Sequence, residues 1–378
     1  MRRFFKGDEA MEFEYYMPTK IFCGRDCVTK RGEALRALGA HALIVTGKSS
    51  AKNGALADVY AALDANGQGY TLFDRVTPNP TVACVREGIA LLESAGADFI
   101  VAIGGGSPMD AAKAIATLAV QPRTDEEIFA GGYRAEALPM AHVPTTAGTG
   151  SEVTPYSILT NDGAQTKTSI TSPAMFPRYA FLDGKYMNGL SRATTVNTAM
   201  DALSHAVEGV LSRNATPISD ALAYESMRIL YPLLPAAGGE RLTTDERDLL
   251  LYASALAGMT IAQSGTTAVH GMGYALTYFH RIDHGRANGL LLGEMLRLCE
   301  DKGLPQVEKI VKACGCGSVD NFCACLSDLI GGKEKISREE LIEYAARAMK
   351  NKNIKKSAYE PTQAEAERLY LRSFGYTG

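Results

Sequence analysis

The residues with the clearest chemical potential are an aspartate and a group of histidines in the second half of the chain. Asp201 and His205 are four residues apart in a segment whose pattern predicts a helix, so both side chains project from one face of it. Three further histidines, His270, His280 and His284, follow close together along the chain. Three imidazoles and one carboxylate suit a divalent transition metal such as iron or zinc. Spacing alone leaves open whether His270 or His280 acts with the other three residues.

A glycine-rich loop is the second feature with chemical meaning, formed by Gly104, Gly105, Gly106 and Ser107. Glycines let a backbone approach a ligand closely, and a helix N-terminus presents free N–H groups to a phosphate. We expect Ser107 to be the N-cap of the following helix, with Pro108 at its first position. The loop is neither a GxGxxG fingerprint nor a P-loop, so by itself it indicates a phosphate without saying which one.

A loop rich in threonine and glycine runs from Pro144 to Glu152. Its hydroxyls can donate to phosphate or ribose oxygens while its glycines leave room for a ligand. Such a loop alone is usually only a connection. Together with the glycine loop, it indicates a second wall of the same cleft.

The apolar pattern predicts the elements that carry these groups. Continuous apolar runs at 42–45 and 99–103 suit strands covered on both faces, as in a parallel sheet. Residues 82–96 have apolar side chains at helical spacing, which completes a βαβ pattern, the usual frame of a nucleotide site. The second half of the chain shows long helical patterns and few strand signals. The prediction is an α/β nucleotide-binding domain at residues 1–185 and an α-helical domain at residues 186–378.

Composition and charge exclude several classes of protein. The chain has 378 residues, which as a prior means two domains or one large domain with a deep cleft. A net charge of −3 offers no basic surface for nucleic acid or an anionic membrane. No apolar run reaches the roughly 18 residues that a membrane span needs. Acidic residues follow the basic start of the chain, unlike in a secretory signal, so we expect a cytoplasmic protein.

The eight cysteines are most simply reduced thiols in such a protein. Four of them form two pairs, Cys314 with Cys316 and Cys323 with Cys325, each with a one-residue gap. Zinc sites usually have two-residue gaps between paired cysteines. We therefore favour plain thiols over a metal cluster.

Together these segments resemble the iron-containing (group III) alcohol dehydrogenase family. The resemblance covers nearly the whole chain, from about Tyr16 to about Leu298. Each motif alone is weak, but their order is specific. The motifs are GGGSPMD from Gly104 to Asp110, PTTAGTGSE from Pro144 to Glu152, DALSHAVE from Asp201 to Glu208, and HGM at His270 followed by HG at His284.

The resemblance implies a Rossmann-like N-terminal domain and an all-α, metal-binding C-terminal domain, the architecture of dehydroquinate synthase, with a cleft between them. It implies that Fe²⁺, or alternatively Zn²⁺, is bound by Asp201, His205, His270 and His284, which decides against His280. The reaction it implies is hydride transfer between NAD(H) or NADP(H) and a small primary alcohol or aldehyde. The metal would polarise the carbonyl group while the cofactor supplies the hydride.

The resemblance also implies residues that bind the cofactor. The pyrophosphate position falls on Gly104, Gly105, Gly106 and Ser107. The nicotinamide side falls on Thr145, Thr146 and Thr149. Asn79 matches a position near the cofactor ribose, and Lys167 matches another position in the cleft.

The chain departs from the family pattern at two positions. Many members have a further histidine four residues after the position of His270, and this chain has Tyr274 there. Tyr274 is one helical turn from His270, so we interpret it as a proton relay, with a packing role or a water chain as the alternative. Many members have an acidic residue at the position of Gly47.

That missing carboxylate bears on cofactor choice. An acidic residue after the second strand bonds the ribose 2′-hydroxyl and repels a 2′-phosphate. Gly47 removes both effects, and Lys48, Ser49, Ser50 and Lys52 can offer a cation and hydroxyl donors to a phosphate. We therefore favour NADP(H) over NAD(H).

Three alternatives remain beside this interpretation. A dehydroquinate synthase-like cyclase needs several basic residues near the histidines, and the sequence has no such group there. A glycerol dehydrogenase-like enzyme typically uses one carboxylate and two histidines. A non-catalytic nucleotide-binding sensor would be indicated by a lost metal ligand. We expect a small alcohol or aldehyde as substrate, and a homodimer or higher homo-oligomer.

Overall fold

The chain folds into two compact units. The computed structural model describes residues 12–48, 50–239 and 242–376. An α/β unit contains residues 18–48, 50–191 and 242–255, and a helical unit contains residues 12–17, 192–239 and 256–376.

The α/β unit is built on a parallel β-sheet. Its strands are β1 (Lys20–Cys23), β2 (His41–Thr46), β3 (Gly69–Phe73), β4 (Phe99–Gly104), β5 (Met140–Pro144), β6 (Tyr156–Asn161), β7 (Thr166–Thr171) and β8 (Tyr179–Leu182). Six of them form one sheet in the order β1-β8-β5-β4-β2-β3, in which every neighbouring pair is parallel. Strands β6 and β7 form a separate antiparallel pair.

Both faces of the central strands are buried, which explains their continuous apolar sequences. Leu43 and Val45 of β2 belong to one hydrophobic core, whereas Ala42 and Ile44 belong to another. Because successive strand residues point to opposite faces, a strand between two cores has no polar alternation. The strands predicted at 42–45 and 99–103 are therefore confirmed.

The helices of this unit connect the strands. They are α1 (Cys27–Lys30), α2 (Ala55–Asn66), α3 (Val82–Ala95) and α4 (Gly106–Leu118). Strands β4 and β5 are neighbours, so the loops that follow their carboxyl ends meet at one edge of the sheet.

The expected start of α4 is wrong by two residues. The helix begins at Gly106, and its N-cap is Gly105 in an extended conformation. Ser107 is thus inside the first turn, where its hydroxyl accepts a hydrogen bond from the Asn79 N–H at 3.2 Å. That contact with a distant residue takes the place of the local capping bond that the sequence predicts.

The rest of the chain is helical, as the sequence predicts. The helices are α5 (Arg192–Val210), α6 (Pro217–Gly238), α7 (Thr244–Ser264), α8 (Ala268–His280), α9 (His284–Asp301), α10 (Gln306–Cys314), α11 (Val319–Ile330), α12 (Arg338–Ala348) and α13 (Gln363–Ser373). The part of α7 up to residue 255 belongs to the α/β unit. None of the helices in the described ranges combines the length and the apolar character that crossing a membrane requires.

Candidate functional site

Helix α5 presents Asp201 and His205 on one face, as their spacing predicts. Both residues are almost fully buried. The Asp201 Oδ1 atom lies 3.9 Å from His205 Nε2. Burial alone would raise the pKa of Asp201, but the neighbouring rings of His205, His284 and His270 together hold that pKa below the usual aspartate value. The carboxylate is therefore ionised, as a metal ligand must be.

Two other helices bring His270 and His284 to the same point. His270 is in the first turn of α8, and His284 is the first residue of α9. Each Nε2 atom lies 3.7 Å from Asp201 Oδ1, and the ligand atoms of these three residues all lie within 4.8 Å of one another. His205 Nε2 lies 2.9 Å from His270 Nε2. We call Asp201, His205, His270 and His284 the histidine cluster.

Close packing of α9 against α5 places His284 in this cluster. A Cβ atom on Gly285 would lie 1.8 Å from the backbone oxygen of Asn197 and 2.9 Å from Asp201 Cβ. Any larger residue at this position would push the two helices apart. The glycine after His284 therefore has a steric reason, because it lets the histidine reach the aspartate.

A buried glutamate orients His270. Glu208 Oε2 contacts His270 Nδ1, and Glu208 Oε1 accepts hydrogen bonds from the N–H and hydroxyl of Thr267 at 2.9 and 2.7 Å. Burial would raise the pKa of Glu208, but the neighbouring His270 ring and these hydrogen bonds hold it below the usual value. An ionised Glu208 accepts the Nδ1–H of His270, which leaves the Nε2 lone pair facing the cluster.

Sequence reasoning assigned no role to Glu208 or to Asn288. Glu208 is three residues after His205 on the same helical face, a signal that was available. Asn288 is four residues after His284, and its Nδ2 donates to Asp201 Oδ1 at 3.0 Å. These two residues form part of the outer support of the histidine cluster.

The histidine cluster brings imidazole nitrogens and a carboxylate oxygen together, which fits a bound cation. With His270 protonated on Nδ1, its Nε2 carries a lone pair only 2.9 Å from the Nε2 of His205. The carboxylate of Asp201 faces the same point. A donor set of imidazole nitrogens and one carboxylate oxygen suits iron or zinc. The residues present therefore fit the kind of metal that the resemblance implies.

Tyr274 and His280 occupy different places relative to this cluster. Tyr274 is buried, and its ring stacks on that of His284 with the ring centroids 5.7 Å apart. His280 instead lies with its Nε2 2.9 Å from the hydroxyl of Tyr344 and 3.6 Å from Glu340 Oε1. Of the two histidines that spacing left open, the structure brings His270 to Asp201 and directs His280 elsewhere.

In the α/β unit, the glycine loop and the threonine loop lie against each other. The backbone N–H of Thr145 donates to Gly104 O at 2.9 Å. Further along, Gly105 faces Thr146 and Gly106 faces Thr149. Neither glycine position has room for the Cβ atom of a larger residue. The structure thus brings together the residues predicted to bind the pyrophosphate and the nicotinamide side.

Asn79 and Lys167 are linked to the same edge of the unit. Asn79 has a left-handed backbone with φ 59°, and its N–H donates to Ser107 of the glycine loop. Its carbonyl oxygen accepts a hydrogen bond from the Thr160 hydroxyl at 3.0 Å. Lys167 is the partner of Thr160 in the antiparallel pair of β6 and β7. A chain of contacts therefore runs from the glycine loop to the strand that carries Lys167.

Gly47 follows β2 at the same carboxyl edge of the sheet. Thr46 pairs in register with Ile103, so Gly47 is level with Gly104 of the glycine loop. A Cβ atom on Gly47 would lie 3.1 Å from the backbone oxygen of Val76, which is tight but leaves the position open to a side chain if that neighbour yields slightly.

A second buried polar group was not anticipated from the sequence. Lys113 on α4 is fully buried, and its Nζ donates to Ser151 Oγ at 2.7 Å, to Thr154 Oγ1 at 3.2 Å and to the carbonyl oxygen of Tyr156 at 2.9 Å. Ser151 in turn donates to Asp110 Oδ1 at 2.7 Å. Burial lowers the pKa of Lys113 to about 8, against the opposing charge of Asp110. We call Asp110, Lys113, Ser151 and Thr154 the lysine cluster; it ties α4 to the end of the threonine loop.

Comparison with known proteins places both units in one family. A family model described as iron-containing alcohol dehydrogenase matches residues 18–184, and its C-terminal counterpart matches residues 195–374. Among characterised proteins, lactaldehyde reductase of Escherichia coli strain K12 is 36% identical over 264 residues, which cover 69% of this chain and 68% of that protein.

Solved structures agree with these matches. An iron-containing alcohol dehydrogenase from Thermotoga maritima is 40% identical, with a TM-score of 0.89 over 96% of this chain and 100% of that chain. Sulfoacetaldehyde reductase from Bifidobacterium kashiwanohense, solved in complex with NAD⁺, is 28% identical, with a TM-score of 0.87 over 97% of this chain and 100% of that chain. The chain therefore belongs to the iron-containing alcohol dehydrogenase family of oxidoreductases, which confirms the prediction made from its motifs.

Proposed function

We propose that the histidine cluster is the metal site of an NAD(P)-dependent enzyme that interconverts a small aldehyde and its primary alcohol. Fe²⁺ is the metal we favour, with Zn²⁺ as the alternative. The observation that carries this proposal is the convergence of one carboxylate oxygen and histidine nitrogens in a buried space, with Asp201, His270 and His284 offering atoms within 4.8 Å of one another.

The residues in and around the histidine cluster have different roles. A divalent metal held by Asp201, His205, His270 and His284 would supply Lewis-acid chemistry toward a carbonyl oxygen. Asp201 brings a negative charge that offsets that of the cation. Glu208 holds the Nδ1–H of His270 and keeps its Nε2 turned to the cluster, as outer partners of histidine ligands generally do.

Tyr274 is the residue to which we assign the proton transfer. Its buried ring packs on His284, one helical turn from His270 on α8. A protonated phenol in that place can give its proton to the oxygen of the reduced product and recover it from solvent. The closing experiment of the metal proposal does not depend on this assignment.

The cofactor belongs on the glycine and threonine loops. Helix α4 starts at Gly106 without a side-chain hydrogen bond to its first turn, so its first N–H groups can bind the pyrophosphate. The hydroxyls of Thr145, Thr146 and Thr149 are assigned to the nicotinamide side. Asn79 and Lys167 complete the set toward the ribose.

We propose NADP(H) as the preferred cofactor. Gly47 offers no carboxylate to repel a 2′-phosphate. Lys48 and Lys52 are exposed beside it and can supply the cation. Ser50 is buried and donates to Gly47 O at 3.2 Å, so we do not count it as a phosphate donor, and Ser49 lies outside the described residues.

A short aldehyde is the substrate class we propose. Two similar proteins, at 36% and 28% identity, are named for lactaldehyde and sulfoacetaldehyde, both small aldehydes. A cytoplasmic location and a homo-oligomeric state are further proposals that come from the sequence.

The test is metal analysis of protein purified without oxygen, combined with activity. Absorbance of NADPH or NADH at about 340 nm is followed with a series of short aldehydes, with and without added ferrous ion. We expect one divalent metal per chain, and turnover that a chelator removes and ferrous ion restores. Metal-free protein that turns over aldehydes at an undiminished rate would refute the proposal.

A further inference from the structure

The C-terminal helices hold a pair of cysteines in one tight turn, outside the histidine cluster. Cys314 is the last residue of α10, Gly315 has a left-handed backbone with φ 68°, and Cys316 follows. The turn is stabilised by hydrogen bonds from Gly315 N to Lys312 O at 3.2 Å and from Cys316 N to Val311 O at 3.4 Å. These two bonds form a Schellman motif, which fixes the backbone of both cysteines at the end of the helix.

The two thiols are neighbours at this turn, and each one shifts the pKa of the other. The Cys316 sulfur lies 3.6 Å from the carbonyl oxygen of Val311. Cys314 is buried, whereas Cys316 is half-buried and open to small solutes. A third thiol, Cys325 on α11, is close enough for its charge and that of Cys316 to interact.

The two thiols are also expected to differ in reactivity. The neighbouring Cys314 lowers the pKa of Cys316, and the same interaction together with burial raises the pKa of Cys314. The more accessible sulfur is thus the better nucleophile, since the thiolate is the reactive form. Burial likewise raises the pKa of Cys27 and of Cys299 to about 12, which makes these thiols poor first nucleophiles.

We propose that Cys314 and Cys316 are a dithiol, separated by one residue, that a hydroperoxide converts into a disulfide, with Cys316 oxidised first and Cys314 as the resolving thiol. Cα atoms two residues apart are at most about 7 Å from each other, and disulfides span Cα distances of about 4.4–6.8 Å, so the bond needs only local adjustment. Among the described residues, no cysteine belongs to a group with metal-site spacing, which favours redox chemistry over a metal at this turn.

The chemistry balances with peroxide as the oxidant. The Cys316 thiolate attacks a peroxide oxygen, the O–O bond breaks, and a sulfenic acid forms while the departing hydroxide takes a proton to become water. The Cys314 sulfur then attacks the sulfenic sulfur, the S–O bond breaks, and the second water leaves with the Cys314 proton. The dithiol loses two electrons and the peroxide gains them.

The experiment maps oxidation in the intact, wild-type protein. Fully reduced protein is treated with an equimolar amount of hydrogen peroxide, and remaining thiols are alkylated. Trypsin leaves all four C-terminal cysteines in residues 313–333, so a second protease that cuts before Asp320 is needed to separate the pairs. We expect residues 313–319 to lose about 2 Da and to resist alkylation until a reductant is added, while residues 320–327 stay alkylated.

Two variants test the order of attack. In Cys314→Ser, Cys316 should stop at the sulfenic acid and be labelled by dimedone. In Cys316→Ser, no disulfide should form, whereas Cys325→Ser should behave like the wild type. A disulfide between Cys316 and Cys325, or peroxide uptake by the exposed Cys23 ahead of Cys316, would overturn the proposal. Because the wild-type map requires no substitution, a variant that fails to fold does not rescue it.

Discussion

The histidine cluster and the lysine cluster are both largely buried polar groups, but they differ in the kinds of atoms that meet in them. In the lysine cluster, the three hydrogens of Lys113 Nζ meet three oxygen acceptors, and Ser151 passes a hydrogen bond on to Asp110. In the histidine cluster, nitrogens and a carboxylate oxygen converge within 2.9 to 3.9 Å with Asn288 as a donor among them. The lysine cluster contains its own cation, whereas we propose that the histidine cluster binds one from outside the chain.

This difference in composition shows how a structural polar group can be distinguished from a functional one when both are buried. Buried charges are tolerated when they are paired and hydrogen-bonded. The lysine cluster meets that condition with residues of the chain alone, so its role is to join α4 to the threonine loop. The histidine cluster instead gathers nitrogen and oxygen atoms of the kind that bind a transition metal, which supports its proposed role as the metal site.

We expect the largest effect from a variant that removes one residue of the histidine cluster. His270→Ala removes a ligand and should abolish both bound metal and turnover, a loss beyond the roughly 10–100-fold that removing an outer partner costs. The matched control is His280→Ala, which touches Tyr344 and Glu340 instead and should keep both. The two variants are compared by their metal content, measured by elemental analysis, and by their rates of aldehyde turnover. If His280→Ala loses the metal and His270→Ala retains it, the ligand set is wrong.

We expect the next largest effect from a variant that removes the charge of the lysine cluster. Lys113→Met keeps the volume but leaves Asp110 buried without its cation, and should lower the free energy of unfolding by about 3–5 kcal/mol. Metal content should not change if the two clusters have separate roles. Lys30→Met, at an exposed lysine of the same unit, should cost less than about 1 kcal/mol. Denaturant unfolding gives both values, and equal costs in the two variants would contradict the comparison.

A smaller effect concerns Glu152, which is buried beside the lysine cluster. Burial raises the pKa of Glu152 to about 7 from a usual 4.5. Between these pH values the native state holds more protons than the unfolded chain, so the wild type loses stability as the pH rises through the window. Glu152→Gln cannot ionise, and it should gain up to about 2–3 kcal/mol over the wild type between pH 4.5 and 7.5.

Unfolding at several pH values tests this expectation. The exposed Glu87→Gln variant should follow the wild type across the whole range. A stability difference between Glu152→Gln and wild type that does not depend on pH would show that Glu152 stays in one protonation state.

An outer partner of the histidine cluster gives a graded test. Glu208→Gln weakens the hold on His270 Nδ1 without removing a ligand, and should reduce metal affinity by about 10–100-fold. Glu340→Gln makes the same change at the partner of His280 and should leave metal affinity unchanged. Competition with a chelator measures both. An unchanged affinity in Glu208→Gln would mean that the cluster does not depend on this contact.

The smallest effect lies outside both clusters. Gly47→Asp restores a carboxylate after β2 and should shift the ratio of kcat/KM toward NADH by about tenfold, with no change in bound metal. Gly47→Ser adds the same Cβ near Val76 O without a charge, and should leave the ratio near that of the wild type. A wild type that strongly prefers NADH, or equal ratios in the two variants, would rule out this account of cofactor choice.

The sequence by itself determined the features that depend on local spacing. The buried strands at 42–45 and 99–103, the helix after the glycine loop, and the shared face of Asp201 and His205 all follow from periods of two or 3.6 residues. The ordered motifs also identified the family, because several short patterns in a fixed order are far more specific than any one of them.

Spacing and local pattern did not determine which distant residues meet; apart from what the family resemblance implies, only the tertiary structure decided this. His270 and His280 lie on one helix, and the packing of α8 and α9 on α5 brings the first, not the second, to Asp201. The bond of Ser107 to Asn79 and the partners of Lys113 likewise join residues 28 and 38 or more positions apart. Local propensity carries no information on such contacts, because they are set by how whole helices and strands pack, down to the missing Cβ of Gly285.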